Sequence, residues 1–390
     1  MDQQAVTPQF YRVDDPALAA LKEEHAPLVI KAMPEALDDL FKIRFPHLMP
    51  GSSEAKATRA AWDADAWGAP HVEEKSQWAY FPWKNTLVHL PDEETFHELR
   101  TARNKFLITE EEQQAFYGAK IGIAGMSVGS SVLNALVLSG GGKHLRLADH
   151  DTLSITNLNR LFGSVCDLTV PKLTAAMRRV YEINPYAELV PFWDGVTEEK
   201  LDAFFVEGGK LDLFIEEVDD ILLKVLTRRK ARELGVPVIM ATDNGDNTII
   251  DVERFDLEPD RPLFHGRADE ELLSRASATM PNSEKVKLAS AIVGSDITPR
   301  TQYSLMQVGQ TLPSWPQLGN AAILSGAATS YTARRILTGE EMPSGRYTVH
   351  FDRDIDPAFN SPKATAERQR LTDEFDLGFD LIFNRLEDPL

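Results

Sequence analysis

The chain has 390 residues, enough for two or three domains with a sizeable core. Forty-one Lys and Arg against sixty Asp and Glu leave a formal charge of −19, which argues against binding duplex DNA and against docking on anionic lipid. The single cysteine, Cys166, excludes an internal disulfide and a four-cysteine zinc site. The start, Met1-Asp2-Gln3-Gln4, has no basic, apolar leader pattern, and no run of about twenty apolar residues is present. The expectation is a cytoplasmic protein that neither spans nor binds a membrane.

Residues 1–99 read as an N-terminal accessory region, a possible substrate-recognition element. Within it, 17–40 shows helical apolar spacing (Leu18, Leu21, Leu28, Met33) broken by Pro27 and Pro34. An aromatic segment with Trp62, Trp67, Trp78 and Trp83 follows. Its Tyr80-Phe81-Pro82-Trp83 stretch can line a groove, but a packed satellite core is the commoner use of such residues.

From residue 100 to 356 strand-like runs alternate with helical patterns, the sign of βαβ units in a Rossmann-like, mainly parallel α/β sheet flanked by helices. Strands are expected at 120–124, 145–148, 188–193, 211–216, 236–240, 248–255 and 346–351, and helices at 128–138, 173–182, 198–205, 221–234 and 319–337. The polar stretch 267–315, irregular in pattern, suits a partly helical crossover or lid over the sheet, and the acidic tail 357–390, with Phe375, Leu377, Phe379, Leu381 and Phe383, suits a docking segment.

Three motifs carry chemistry. Gly125-Met126-Ser127-Val128-Gly129 links a strand to a helix, where glycines let the backbone approach a phosphate and the helix N-terminus offers N–H donors. The spacing falls short of the full G-x-G-x-x-G fingerprint and is weak alone. Asp149, at the end of the next strand, strengthens it, because a carboxylate there can accept both ribose hydroxyls. Beyond Asp149 and Asp151 lie Asn157, Arg160 and Lys172, amide and cationic donors suited to a triphosphate, on which negative charge builds when a phosphate is displaced. An NAD(P)-dependent oxidoreductase would use the loop and Asp149 but leave this cluster without a role. A degenerate nucleotide-binding partner protein is the non-enzymatic alternative.

Asp149-x-Asp151, Asn157-Leu158-x-Arg160, Pro171-Lys172 and Ile183-Asn184-Pro185, in this order, resemble the ThiF/MoeB/ubiquitin-E1-like adenylating domain over roughly residues 100–352. The resemblance implies ATP- and Mg²⁺-dependent adenylation of a carboxylate: the C-terminus of a ubiquitin-like or sulfur-carrier protein, a peptide, or a small acid. It implies that Gly125, Ser127 and Gly129 cradle the phosphates, that Asp149 holds the ribose, and that Asn157, Arg160 and Lys172 hold the triphosphate, with Asp151 in the same motif. Asp212, Glu216 and Asp219 fit the family's D-x-x-x-[DE]-x-x-D stretch, whose last Asp helps bind magnesium. The resemblance also implies a homodimer, with Arg103 as candidate for the arginine supplied by the neighbouring subunit. The chain departs from the family in its reduced glycine loop, in lacking the zinc cysteines, and in having no cysteine in 267–315 to accept an acyl group.

Overall fold

In the computed structural model, which describes residues 6–65, 72, 74–277, 279–294, 297–308 and 310–387, the chain forms two units. One holds the described residues up to Gln114 together with Met177–Ala187; the other holds Ala115–Ala176 and the described residues from Glu188 onward.

The first unit runs β1 (Gln9–Tyr11), α1 (Pro16–His25), β2 (Leu28–Lys31), α2 (Met33–Arg44), α3 (Ser53–Asp65), β3 (Ser76–Phe81), β4 (Thr86–Pro91) and α4 (Glu93–Thr101). Asp15 starts α1 by accepting the Ala17 N–H at 2.8 Å, with Pro16 in the first turn, where its missing N–H costs nothing. The strands form a sheet in the order β1-β3-β4-β2, with β2 parallel to β4.

This corrects the reading of 17–40 as interrupted helix. Leu28-Val29-Ile30-Lys31 is a strand, because β-branched residues confined between two prolines gain more from pairing with Thr86–His89 of β4 than from one helical turn. Two tryptophans serve small cores. Trp78 packs with Leu18, Leu21, Tyr80 and Leu87, and Trp62 with Met33 and Leu40. Trp83 donates its indole N–H to Glu182 at 2.7 Å. Trp67 lies outside the described residues.

Helix α5 (Glu110–Gly118) and, further on, α7 (Lys172–Ile183) are each divided between the two units. The second unit continues with β5 (Lys120–Ala124), α6 (Val128–Leu138), β6 (His144–Ala148), α7, β7 (Glu188–Phe192), α8 (Leu201–Val206), β8 (Leu213–Glu216), α9 (Ile221–Leu234), β9 (Val238–Asn244) and β10 (Asn247–Glu253). Then come α10 (Glu270–Ser274), α11 (Asn282–Val293), α12 (Pro299–Met306), α13 (Gly319–Leu337), β11 (Gly345–Val349), α14 (Phe351–Ile355) and α15 (Pro362–Glu387).

The sheet has the order β11-β10-β9-β8-β5-β6-β7. Strands β9 to β7 of that order are parallel, and β10 and β11 are antiparallel additions. It is thus a mainly parallel Rossmann-like sheet flanked by helices. The aromatic core on one face joins Phe192, Phe204, Phe205 and Phe214. On α13, Gly326 meets α6 so closely that an added Cβ would lie 2.6 Å from the backbone of Ser131. Among the described residues, 267–315 hold the helices α10, α11 and α12. The tail is helical, and its Phe375 is buried against Ile249 and Ile297. The side chains of Leu377, Phe379, Leu381 and Phe383 lie outside the described residues. No helix among the described residues is long and apolar enough to cross a membrane.

Candidate active site

The site is built at the carboxyl ends of β5, β6, β8 and β9, where a parallel sheet turns all its strand-to-helix loops to one edge. After β5 the chain must pass between the ends of β6 and β8. Gly125 makes this possible: its φ is +91°, and a Cβ there would overlap the carbonyl oxygen of Glu217. Its N–H donates to Ala148 at 2.8 Å, and the Glu217 N–H donates to Ala124 at 2.8 Å, so the loop is tied to both neighbouring strand ends. Helix α6 begins at Val128 with no side chain capping its first turn, which leaves its N-terminal amides for an anion.

Asp149 organises this loop. One carboxylate oxygen accepts the Met126 N–H at 2.6 Å and the other the Asp151 N–H at 2.8 Å. Burial pushes its carboxyl above the usual carboxylate range, against the pull of those two amides and of Lys172. Lys172 is buried and donates to Asp151 at 2.7 Å, and this hydrogen bond lowers the Asp151 carboxyl. Two residues of the predicted cluster therefore meet as an ion pair beside Asp149.

Arg160 is half-buried and leans on the glycine loop, its Nε donating to the Ser127 hydroxyl at 3.2 Å and one Nη to the Thr156 carbonyl at 3.0 Å. Burial lowers its guanidinium, while Asp243 and Asp219 act in the opposite sense. Asn157 has a different place from the other donors. It is buried, and its Oδ1 accepts the Ser154 N–H at 3.0 Å and the Ser154 hydroxyl at 3.1 Å, closing the turn that carries Arg160. Arg103 belongs to the first unit, on the short turn Ala102–Asn104. Cys166 is exposed, in the turn Val165–Asp167.

Beside Ser127 a cavity of about 160 Å³ opens, lined on its polar side by Glu217, Asp219, Lys224, Asp243 and Gln317. Asp219 sits exposed just before Asp220, whose carboxylate caps α9 by accepting the Leu223 N–H at 2.9 Å. The cap fixes where β8 ends and so where Asp219 stands. Asp212 is elsewhere, accepting the Lys120 N–H at 2.8 Å at the opposite end of the strand. Glu216 is fully buried between Lys224, at 2.9 Å, and Arg228, which also binds Glu253 at 2.6 Å. The opposite wall is apolar, with Ala289, Ile292 and Val293 of α11 and Trp315. Residues 267–315 thus contribute a wall to the cavity.

Sequence reasoning missed Asp243 and Lys224. Asp243 is buried at the end of β9, holding Ser325 at 2.9 Å and Gln317 at 3.1 Å, and burial raises its carboxyl. Nothing at the level of sequence marked it, since its partners lie some distance along the chain on α13 and just before it. Lys224 lies one turn into α9 and belongs to none of the motifs.

Residues 101–341 match the model of the ThiF family. The chain belongs to the ThiF family. This ThiF-family chain is 35% identical over 285 residues to an uncharacterised protein of Mycobacterium tuberculosis, a match that covers 73% of this chain and 39% of that one. It is 27% identical to the tRNA threonylcarbamoyladenosine dehydratase of Bacillus subtilis, over 51% of this chain and 75% of the relative. It is 27% identical to the molybdopterin-synthase adenylyltransferase of Haemophilus influenzae, over 46% of this chain and 71% of the relative. The chain thus spans well under half the length of its mycobacterial relative and about three quarters of the other two.

Proposed function

We propose that this ThiF-family chain adenylates a carboxylate with ATP, releasing pyrophosphate and forming an acyl-AMP. The observation that carries this reading is the convergence on one glycine loop of the carboxylate that organises it (Asp149), a guanidinium resting on it (Arg160) and a cavity with Asp219 beside it. Gly125, Ser127 and Gly129 would cradle the phosphates and Asp149 the ribose. Gly125 supports a fit to a nucleotide, since it is a backbone cradle that any Cβ would fill. The substrate carboxylate is already ionised at neutral pH, so its attack on the α-phosphorus needs no base. The barrier falls through alignment and through Arg160 and Lys172 facing the charge that builds on the phosphates.

Mg²⁺ would neutralise phosphate charge when bound. Among the described residues no group of three His, Cys, Asp or Glu side chains is placed to cage a metal. Asp219 as a single carboxylate suits Mg²⁺, which keeps water and phosphate oxygens as most of its ligands. In this reading the enzyme is a homodimer, with Arg103 reaching the neighbouring subunit's site. The acyl donor is the C-terminus of a ubiquitin-like or sulfur-carrier protein, a peptide, or a small acid. The charge of −19 disfavours a tRNA-borne carboxylate of the kind named for the Bacillus relative.

The test is ATP–pyrophosphate exchange over a panel of peptide, carrier-protein and small carboxylates. Arg160→Ala, Lys172→Ala and Asp219→Ala should each reduce exchange about 10²–10³-fold in folded protein. Exchange at wild-type rate in all three would overturn the assignment.

A further inference from the structure

An acyl-AMP carries two arms on its phosphorus, one to the ribose and one to the acyl carbon. We propose that the cavity beside Ser127 receives the acyl arm, and that it selects a carboxylate carrying a branched aliphatic or aromatic side chain. The inference rests on the adenylation reading and adds the class of acid.

Position comes first. In the sheet, β5 stands between β6 and β8, with β9 beyond β8. Asp149, the ribose carboxylate of the reading, directly follows β6. The phosphorus rests over the loop after β5, so the ribose arm leads toward β6 and the acyl arm toward β8 and β9. There the cavity opens, between Ser127 and Val128 on the loop side and Met240 and Ala241 of β9. Its volume of about 160 Å³ suits one side chain, since about 150 Å³ of apolar space is enough to bind benzene. An acetyl-sized group would leave the far wall bare.

That wall is apolar and fixed. It is made of Ala289, Ile292 and Val293 of α11 together with Trp315. Arg346 of β11 clamps the C-terminal end of α11, where carbonyls lack helical partners, by donating to the carbonyls of Ile292 at 2.7 Å and Val293 at 2.6 Å. The same guanidinium grips Asp251 of β10 through two bonds, at 2.7 and 2.8 Å. Both side chains are largely buried, and the paired, charge-assisted bonds tie α11 to the sheet. The wall is thus part of the built fold.

The charged groups around the cavity face one another or the reacting centre. Asp243 accepts from Ser325 at 2.9 Å and from Gln317 at 3.1 Å, and Glu217 accepts the Ala241 N–H at 2.9 Å. Lys224 donates to Glu216 at 2.9 and 3.2 Å. Arg160 faces Asp219 and Asp243, and Asp219 belongs to the metal–phosphate side of the reading. An acidic side chain would be set against Glu217, Asp219 and Asp243. A cationic one would compete with Arg160 for Asp219 and Asp243 and would lose its hydration against the α11 wall. A branched apolar side chain meets neither obstacle, and burying it is worth about 10–100-fold in affinity.

The experiment measures, by calorimetry, the binding of three non-reactive acyl-adenylate mimics. They are the N-acetyl, N-(4-methylpentanoyl) and N-(4-aminopentanoyl) derivatives of 5′-O-sulfamoyladenosine. The last replaces one methyl of the second by an ammonium of nearly the same shape. Wild-type protein should bind the 4-methylpentanoyl mimic about 10–100-fold more tightly than either of the others. Ala289→Phe, which fills the cavity, should bring the 4-methylpentanoyl and acetyl affinities within about threefold of each other. Trp315→Ala, which removes part of the wall, should also lower that ratio. Each ratio is taken within one protein, so loss of folded material does not imitate the result. Equal binding of the acetyl and 4-methylpentanoyl mimics by wild type overturns the inference. So does tightest binding of the aminopentanoyl mimic, or a wild-type ratio in both variants. Failure of all three mimics to bind overturns the adenylation reading and this inference with it, a result distinct from equal binding.

Discussion

Gly125→Ala tests whether the glycine loop is held as tightly as the geometry implies. The backbone at φ +91° disfavours any side chain, at a cost of about 1–3 kcal/mol. The new Cβ would overlap the Glu217 carbonyl, which is backbone and cannot rotate away. Relief requires moving the loop off the end of β8. That movement breaks the charge-assisted bond from Met126 to Asp149 at 2.6 Å, worth about 1.5–3 kcal/mol, and the amide bond from Gly125 to Ala148 at 2.8 Å, worth about 0.5–1.5 kcal/mol. Together the penalty is roughly 3–7 kcal/mol, to be read as a lowered urea midpoint. Because the displaced amides no longer face one point, ATP affinity should fall at least about 100-fold by calorimetry. A variant within 1 kcal/mol of wild-type stability that binds ATP normally, judged against the ~3 kcal/mol floor of these terms, would refute the reasoning.

Two other outcomes follow from buried charge. Arg228 is fully buried between Glu216 and Glu253, so Arg228→Met should cost about 3–5 kcal/mol in denaturant titration, and adding Glu253→Gln should recover part of it. Burial alone would raise Asp251, but the hydrogen bonds from His265 at 3.0 Å and Arg346 at 2.7 Å outweigh it and hold the carboxyl below its usual value. A lowered folded-state value means that this stabilisation is complete above the ordinary carboxylate range and is lost as pH falls below it. The stability gap between wild type and Asp251→Asn should therefore be constant near neutrality and narrow below about pH 4.

The second unit was largely legible because its signals are local. Strand-forming runs such as Ile121-Gly122-Ile123 and capped helices such as α9, with Asp220 before it and Gly235 after it, announce themselves within a few residues. The first unit was less so: β2 exists by pairing with β4, and a four-residue run cannot show a partner 58 positions away. In the site, Asp149, Arg160 and Lys172 stood out as a spaced cluster. Asp243 did not, because its meaning comes from Ser325 and Gln317, which only folding brings to it. Asn157 was legible as a motif residue, yet its oxygen serves the turn beneath Arg160.

The close seating of α13 on α6 through Gly326 bears on biosynthesis. Helix α6, which follows the glycine loop, is backed by a segment that leaves the ribosome long after it, and Asp243 likewise waits for Ser325 and Gln317. A nascent chain halted before α13 would expose the apolar face of α6, which is nearly all buried in the finished molecule. The pocket is therefore assembled late in translation, and truncated products should be clients for chaperones rather than partially active fragments.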